Sequence, residues 1–368
     1  MTYREQRRAQ LAAHARQAGL DGVLVHSWHR QTVAWLTGYA PGYVTNSATL
    51  WLGADGSERL SVRFGFDTDR ARAYFGGEVT AAATPTAVIP AGATRIGLVA
   101  GDIAIDETTP GLLAALAGAG VEHVDLRDVV DELQEAKLPG EVEALRHAGE
   151  VAAAGLAAWG SDAPVSTSDY EIAARIEATC RAAGARRAVC LVGIGPGAVV
   201  SECLGTVVGQ TDAVGLELTI YADEWCMHVN GQLRARESDP ATDHAMAVCA
   251  RARAAMLAVM RPGLAIDELV GTGDGVLATA GLLDAKEYDF GHGLAGDTPA
   301  HPRLIPGTGR VLCESAVTAL HVAVRVPGGP TGFVGGPVVV TADGAHELNP
   351  TAPWAVLTEA GGSSCTTP

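Results

Sequence analysis

Four residues of this sequence have the side chains and surroundings expected of catalytic groups: His292, Glu314, Glu202 and Arg303. His292 lies between two glycines, which let other backbone approach closely, and this favours a pocket position over a structural core histidine. Glu314 lies in the otherwise apolar stretch VLCESAV. Because an unpaired buried carboxylate is costly, Glu314 is expected to pair with His292 or Arg303 or to face a ligand.

Glu202 and Arg303 each have a structural alternative. Glu202 follows the loop GIGPGAVVS and is a surface residue unless it lines a pocket, where burial would raise its pKa and allow general acid/base catalysis. Arg303 suits either a substrate carboxylate or a structural salt bridge. Together the residues indicate proton-transfer chemistry on a small polar substrate.

The composition excludes several classes of protein. The chain has 42 acidic and 26 basic residues, and this formal charge of −16 argues against nucleic acid, whose phosphates require clustered lysine and arginine. The seven cysteines include no CxxC pair, so neither a zinc knuckle nor a disulfide framework is indicated. No apolar run approaches the roughly 20 residues that span a bilayer, and the N-terminus lacks the apolar region of a secretion signal. A cytoplasmic protein is expected.

Helical and strand patterns alternate over about the first 145 residues, which predicts an α/β domain. Predicted there are helices at 3–19, 31–39 and 110–120, strands at 21–27, 94–101 and 121–126, and a hairpin at 48–62 that turns at Asp55-Gly56. Lys137-Leu138-Pro139 interrupts the next helical pattern, and Pro139 suits the first turn of a new helix. We therefore predict domains at 1–140 and 141–368.

The second domain is predicted to be α+β. Helices are expected at 140–160, 168–184, 239–261 and 264–281, and strands at 188–195, 213–222, 224–234, 309–317, 320–326 and 336–344.

Five segments, in this order along the chain, resemble the creatinase/aminopeptidase P superfamily, family M24. They are GLDGVLVHSWHRQTVAWLTGY, LQEAKLPGEVEALRHAGEVA, FGHGLAGDTPAHPRL, GRVLCES and GPVVVTADGAHEL. The resemblance implies an α+β chain with a pita-bread fold in its C-terminal domain and a smaller creatinase-type α/β N-terminal domain. It also implies a homodimer.

In metal-dependent members of this superfamily, two aspartates, one histidine and two glutamates hold two divalent ions, because carboxylates can bridge dications. The resemblance places these five positions on Thr219, Asn230, His292, Glu314 and Gly335. Since one histidine and one glutamate cannot hold two ions, no metal or other cofactor is expected. An alignment shifted onto Asp223 or His228 leaves a metallo-aminopeptidase as an alternative.

Creatinase keeps this fold without a metal, and the resemblance extends to its site. The position of its proton-shuttling histidine falls on Glu202, and its arginine, eleven residues after the loop histidine, falls on Arg303. Thr219, Asn230, Gln232 and His301 are expected to line the former metal pocket and bind substrate; His301 would stand in for a histidine whose position falls on Pro299. Gln232 and Asn46 replace charged creatinase residues, which argues against creatine as the substrate.

The predicted function is a metal-independent, creatinase-like enzyme that hydrolyses a C–N bond in a small polar, carboxylated substrate. Glu202, His292 and Glu314 are the expected catalytic residues, and Arg303 is expected to hold the substrate anion. Three alternatives stay open: a lyase, cyclase or isomerase on the same scaffold, a catalytically silent peptide-binding or small-molecule-binding protein, and a metal-dependent Xaa-Pro aminopeptidase homologue.

Overall fold

The computed structural model describes residues 1–28, 32–42, 47–100, 110–158, 165–195, 197, 199–210, 212–234, 239–296 and 300–352. Asn46 and Pro299 lie outside these residues. The chain divides into two compact units, and the boundary between domains at residues 140 and 141 stays a prediction. Across the described ranges, no helix has both the length and the apolar character that crossing a membrane requires.

The first unit contains Met1–Gln134, Leu138–Gly140 and Ala295–Ala300 and is built on a mixed six-stranded sheet. Its helical segments are α1 (Tyr3–Gln17), α2 (Thr32–Thr37), α3 (Thr68–Arg72), α4 (Pro110–Gly118) and α5 (Arg127–Glu135), which continues one residue into the second unit. The strands are β1 (Gly22–Trp28), β2 (Ser47–Gly53), β3 (Glu58–Val62), β4 (Glu78–Ala81), β5 (Arg95–Ala100) and β6 (Glu122–Asp125). They lie in the order β4-β3-β2-β1-β5-β6, in which β1, β2 and β3 are antiparallel and the other pairs are parallel.

Local sequence explains much of this unit. Thr2 and Glu5 form a reciprocal capping box at the start of α1. The predicted hairpin is present as β2 and β3, and Gly56 turns it with a φ of 90°, a conformation that glycine adopts without strain. Apolar side chains of β1, β2 and β5, including Leu24, Trp51 and Leu98, pack into one buried cluster with α4.

The second unit contains Glu135–Lys137, Glu141–Leu294 and His301–Pro368 and is built on an eight-stranded sheet. Its helices are α6 (Pro139–Ala157), whose first two residues belong to the first unit, α7 (Asp169–Ala182), α8 (Pro240–Val259) and α9 (Ile266–Thr279). Its strands are β7 (Arg187–Ile194), β8 (Ala213–Ala222), β9 (Trp225–Arg234), β10 (Gly291–Gly293), β11 (Ala300–Arg303), β12 (Val317–Arg325), β13 (Thr331–Thr341) and β14 (Gly344–Glu347). The first residue of β11, Ala300, belongs to the first unit. The order is β11-β10-β12-β13-β9-β8-β7, and β14 pairs with β13.

The two faces of β12 and β13 have different surroundings. Leu320, Val322 and Val324 of β12 belong to one core cluster with Val334 and Val338 of β13 and with apolar residues of α8 and α9. Because successive side chains of a strand point to opposite faces, the odd-numbered residues of these strands face away from that core. The candidate site lies on this second face.

The four helices predicted for the second domain are present, but one predicted strand is wrong. Residues 309–317 were expected to form a strand, whereas β12 begins only at Val317. Gly309 and Ser315 both have a φ of 64°, and a residue in this left-handed region interrupts an extended strand. Residues 309–316 therefore form a loop and a turn, and the strand predicted for them is not present.

Candidate functional site

Polar side chains of β8 and β9 lie on one face of the sheet. Glu217 and Thr219 of β8 pair across the strands with Asn230 and His228 of β9, respectively. Gln232 lies two residues beyond Asn230 and so points to the same face. The alternation of polar and apolar residues along both strands therefore places these polar side chains on one face of the β8–β9 pair.

β12 and β13 bring a second histidine to this face. His321 of β12 pairs directly with Gly335 of β13, and Gly335 in turn pairs with Asn230 of β9. His321 is buried, with only 6% of its surface exposed. Register across three strands thus places His321 next to the polar residues of β9, although these segments are far apart in the sequence.

His292 completes the group from the short strand β10. A Cβ atom at Gly291 would lie 1.8 Å from Ala319 O, and one at Gly293 would lie 1.8 Å from His301 O. The flanking glycines are therefore required by the close approach of neighbouring backbone, as the sequence indicated. His292 is buried, and its Nδ1 lies 2.9 Å from Gly293 O.

His228, His292 and His321 form a buried histidine cluster. The ring centroids are 5.2 Å apart for His228 and His292, 5.9 Å for His228 and His321, and 6.0 Å for His292 and His321. Burial lowers the pKa of His292 and, with the other two rings, lowers that of His228 well below its usual value. Burial, followed by His292, lowers the pKa of His321 to about 3. All three imidazoles are therefore neutral near pH 7.

Neighbouring polar groups contact the cluster. His228 Nδ1 lies 3.1 Å from Thr219 Oγ1, and His228 Nε2 lies 3.1 Å from Asn230 Nδ2. Asn230 Nδ2 also donates to Glu217 Oε2 at 3.4 Å. Burial raises the pKa of the Glu217 carboxyl above that of an ordinary glutamate, which brings this pKa closer to neutral pH.

The residues at the predicted metal positions do not fit a pair of bridged cations. Thr219 and Asn230 carry no carboxylate, and Gly335 has no side chain. A Cβ atom at Gly335 would lie 2.8 Å from His321 Cα and 3.0 Å from Asn230 Oδ1, so the packing leaves no room for a glutamate there. Nitrogen atoms of His228, His292 and His321, in contrast, all lie within 4.8 Å of one another and could hold a metal ion.

The same packing gives a stability prediction. We expect Gly335→Ala to lower the free energy of unfolding by about 1–3 kcal/mol, because the added methyl group overpacks the contact with His321. Gly231→Ala on β9 is the matched control, since a Cβ atom there meets nothing within 4 Å. Urea denaturation of both variants measures the difference, and equal stabilities would show that Gly335 is not packed in this way.

Glu314 does not lie where the sequence placed it. It was expected on a buried apolar strand beside His292, but it is an exposed residue of the turn before β12. The expectation is wrong because the strand starts three residues later, at Val317, which makes His321 the polar residue that β12 brings to the site. An exposed carboxylate does not need the buried partner that the sequence argument required.

Glu202 is exposed in the loop after β7. The predicted role in proton transfer required a buried Glu202, and the structure does not bury this residue. Nearby, the Asp169 carboxylate accepts hydrogen bonds from the backbone N–H groups of Leu204, Gly205 and Thr206, which fixes the following part of this loop. The structure therefore does not bring Glu202 and Glu314 together with His292 as buried partners.

The remaining predicted residues are divided between the site and its surroundings. Arg303 of β11 donates from Nη2 to Asp289 Oδ2 at 2.8 Å, the salt bridge that was its structural alternative. His301 is half-buried two residues earlier on the same strand. Gln232 bridges to β13: its Oε1 accepts from Phe333 N at 3.1 Å, and its Nε2 lies 3.4 Å from Thr331 Oγ1.

Sequence reasoning missed His321 and Glu217 and gave His228 only as an alternative. The signal for His228 and Glu217 was their two-residue spacing from Asn230 and Thr219, which places each pair on one face of a strand. For His321 the signal was a single imidazole within the apolar strand LHVAVRV.

Comparisons with known proteins agree with this architecture. Residues 143–342 match the family model described as metallopeptidase family M24. The protein named "Putative dipeptidase YkvY" of Bacillus subtilis strain 168 is 22% identical over 236 residues, a match that covers 63% of this chain and 65% of that protein, less than two thirds of its length.

Solved structures show the same fold. The prolidase of Pyrococcus horikoshii OT3 matches with a TM-score of 0.82 at 15% identity, covering 93% of this chain and 97% of that one. The X-Pro aminopeptidase of Thermotoga maritima MSB8 matches with a TM-score of 0.84 at 16% identity, covering 95% and 98%. The dipeptidase PepE of Mycobacterium ulcerans matches with a TM-score of 0.77 at 21% identity, covering 95% and 96%. The predicted α+β pita-bread fold with a smaller α/β N-terminal domain is confirmed.

Proposed function

Since this chain belongs to metallopeptidase family M24, we propose that it hydrolyses a C–N bond in a small polar, carboxylated substrate without the paired cations of metal-dependent members. The observation that carries the proposal is the buried histidine cluster, linked through Asn230 to the half-buried carboxyl of Glu217. The similar proteins bear the names of dipeptidases, prolidases and aminopeptidases, which makes a short peptide the first substrate class to test.

Glu217 is the proposed general acid/base residue. Its carboxylate takes a proton from water as the water oxygen forms a bond to the carbonyl carbon, and the same proton passes to the leaving nitrogen as the C–N bond breaks. Burial raises the pKa of Glu217, which suits a group that must both accept and return a proton. The histidine cluster holds the reacting oxygen atom. Arg303, whose Nη2 donates to Asp289, is the proposed partner of the substrate carboxylate through the other N–H groups of its partly exposed guanidinium.

A pair of glutamate variants tests this assignment. With a panel of dipeptides that includes Xaa-Pro sequences, we expect Glu217→Gln to lower kcat by at least about 100-fold, because the amide cannot transfer the proton. Glu314→Gln is the matched control and is expected to leave turnover unchanged, since that residue is exposed. Mass spectrometry of the products should show the addition of one water molecule.

Three outcomes would reject the proposal. Equal turnover in the wild type and in Glu217→Gln would remove Glu217 from the chemistry. Products of unchanged total mass would indicate a lyase or isomerase, and a bound but uncleaved peptide would indicate a binding protein. A homodimer and a cytoplasmic location, implied at the level of sequence, remain proposals.

A further inference from the structure

We propose that His228, His292 and His321 bind a single late first-row divalent transition-metal ion. This site differs from the two-cation, carboxylate-bridged centre that the superfamily resemblance implies, because only His292 belongs to that ligand set. Metal binding goes beyond the proposed hydrolysis and does not depend on it.

The separation of the three side chains fits one ion. One nitrogen atom of each histidine lies within 4.8 Å of the nitrogens of the other two. Imidazole nitrogens bound at about 2.0–2.1 Å to a tetrahedral ion lie about 3.3 Å apart, so modest rotation of the side chains brings them to ligand distance. Three histidines with one further position for water are a ligand set that catalytic zinc adopts in proteins.

The contacts of the rings orient lone pairs for an ion. Nδ1–H of His292 donates to Gly293 O, which places the lone pair of that ring on Nε2. Nε2 of His228 accepts from Asn230 Nδ2 at 3.1 Å, so its lone pair lies on Nε2 and Nδ1–H donates to Thr219 Oγ1, a contact to oxygen typical of metal-binding histidines. An ion at this site would replace Asn230 Nδ2 as the partner of that lone pair. His321 Nδ1 and Asn230 Oδ1 are buried and have no hydrogen-bond partner among the residues that the structure describes. Buried polar atoms without partners are costly, and an ion with its bound water would supply them.

The chemistry of the ligands selects the ion. Neutral imidazoles favour zinc, cobalt, nickel, copper and iron, whereas magnesium, calcium and manganese prefer oxygen ligands. Thr219, Asn230 and Gly335 contribute no carboxylate to bridge a second ion. Glu217 accepts from the same amide group, Asn230 Nδ2, that contacts His228, and it provides one counter-charge near the site without being a ligand.

Titration of the chelator-treated protein with Co²⁺ tests the site, because tetrahedral Co²⁺ has visible absorption bands. We expect saturation at one equivalent and displacement of Co²⁺ by Zn²⁺ but not by Mg²⁺. His321→Ala and His228→Ala are each expected to weaken binding by more than about 100-fold. His26→Ala, which removes a buried histidine of the first unit, is the matched control and should retain the spectrum.

Circular dichroism establishes that each variant is folded, and added imidazole is expected to restore part of the Co²⁺ spectrum of His321→Ala. No binding to the wild type, binding of two equivalents, or full binding by both folded cluster variants would overturn the proposal. Because the readout is the spectrum, a failure of metal binding is distinct from a failure of peptide hydrolysis.

Discussion

Replacing Glu347 with alanine is expected to lower the free energy of unfolding by about 3–5 kcal/mol, because it leaves a buried guanidinium without its counter-ion. Arg253 of α8 is only 1% exposed and forms an ion pair with Glu347 of β14 through both Nη atoms. Its Nε also donates to Leu320 O at 2.8 Å, and Nη2 donates to Gly336 O at 3.2 Å. These two carbonyls are adjacent to His321 and Gly335, so the same ion pair supports the strands of the site.

Glu287→Ala is the control for this prediction. Glu287 pairs with Arg325, whose side chain is 48% exposed, and surface pairs of this kind contribute about 0–1 kcal/mol. Urea denaturation of the two variants compares the pairs directly. The double change Arg253→Met with Glu347→Leu should recover part of the loss, because it removes both charges. A loss below 1 kcal/mol for Glu347→Ala would show that Arg253 is not held as described.

Lowering the pH from 7 to 4 is expected to remove about 3 kcal/mol of stability through His26 alone. Burial lowers the pKa of His26 from 6.5 to about 4, and its Nδ1 lies 2.8 Å from Thr49 Oγ1. Below pH 6.5 the unfolded chain binds a proton that the folded chain does not bind until about pH 4. The contribution of His26 to the free energy of unfolding is therefore fully present above pH 6.5 and falls as the pH decreases from 6.5 to about 4. Below about pH 4 both states are protonated, and this contribution does not change further.

The comparison of wild type with His26→Gln isolates this contribution from that of other histidines. Urea unfolding at several pH values between 7.5 and 4 gives both curves, and the variant should lose less stability than the wild type as the pH falls. Parallel curves over this range would show that His26 does not resist protonation in the folded protein.

Features set by neighbouring residues could be predicted from the sequence. Ser168 and Glu171 form the capping box that starts α7, and Asp239 with Pro240 starts α8, close to the predicted ends. The glycines beside His292 correctly predicted that neighbouring backbone approaches this strand closely. Each of these arguments needs only a few residues and their local backbone.

The composition of the cluster could not be predicted in this way, because it depends on strand register. Glu314 and His321 lie in the same stretch of sequence, and the turn at Ser315 decides which of them β12 brings to the site. His321 meets Asn230 only through Gly335, a contact between three strands that are distant along the chain. The local sequence pattern around His321 predicted an apolar strand, but it could not show which strands would lie beside it.

The most direct test of this account is anomalous diffraction from a crystal soaked in Zn²⁺, with data collected on both sides of the zinc absorption edge. We expect one anomalous peak per chain, lying between the imidazoles of His228, His292 and His321. Two peaks bridged by carboxylates, or a cluster with no peak, would contradict it.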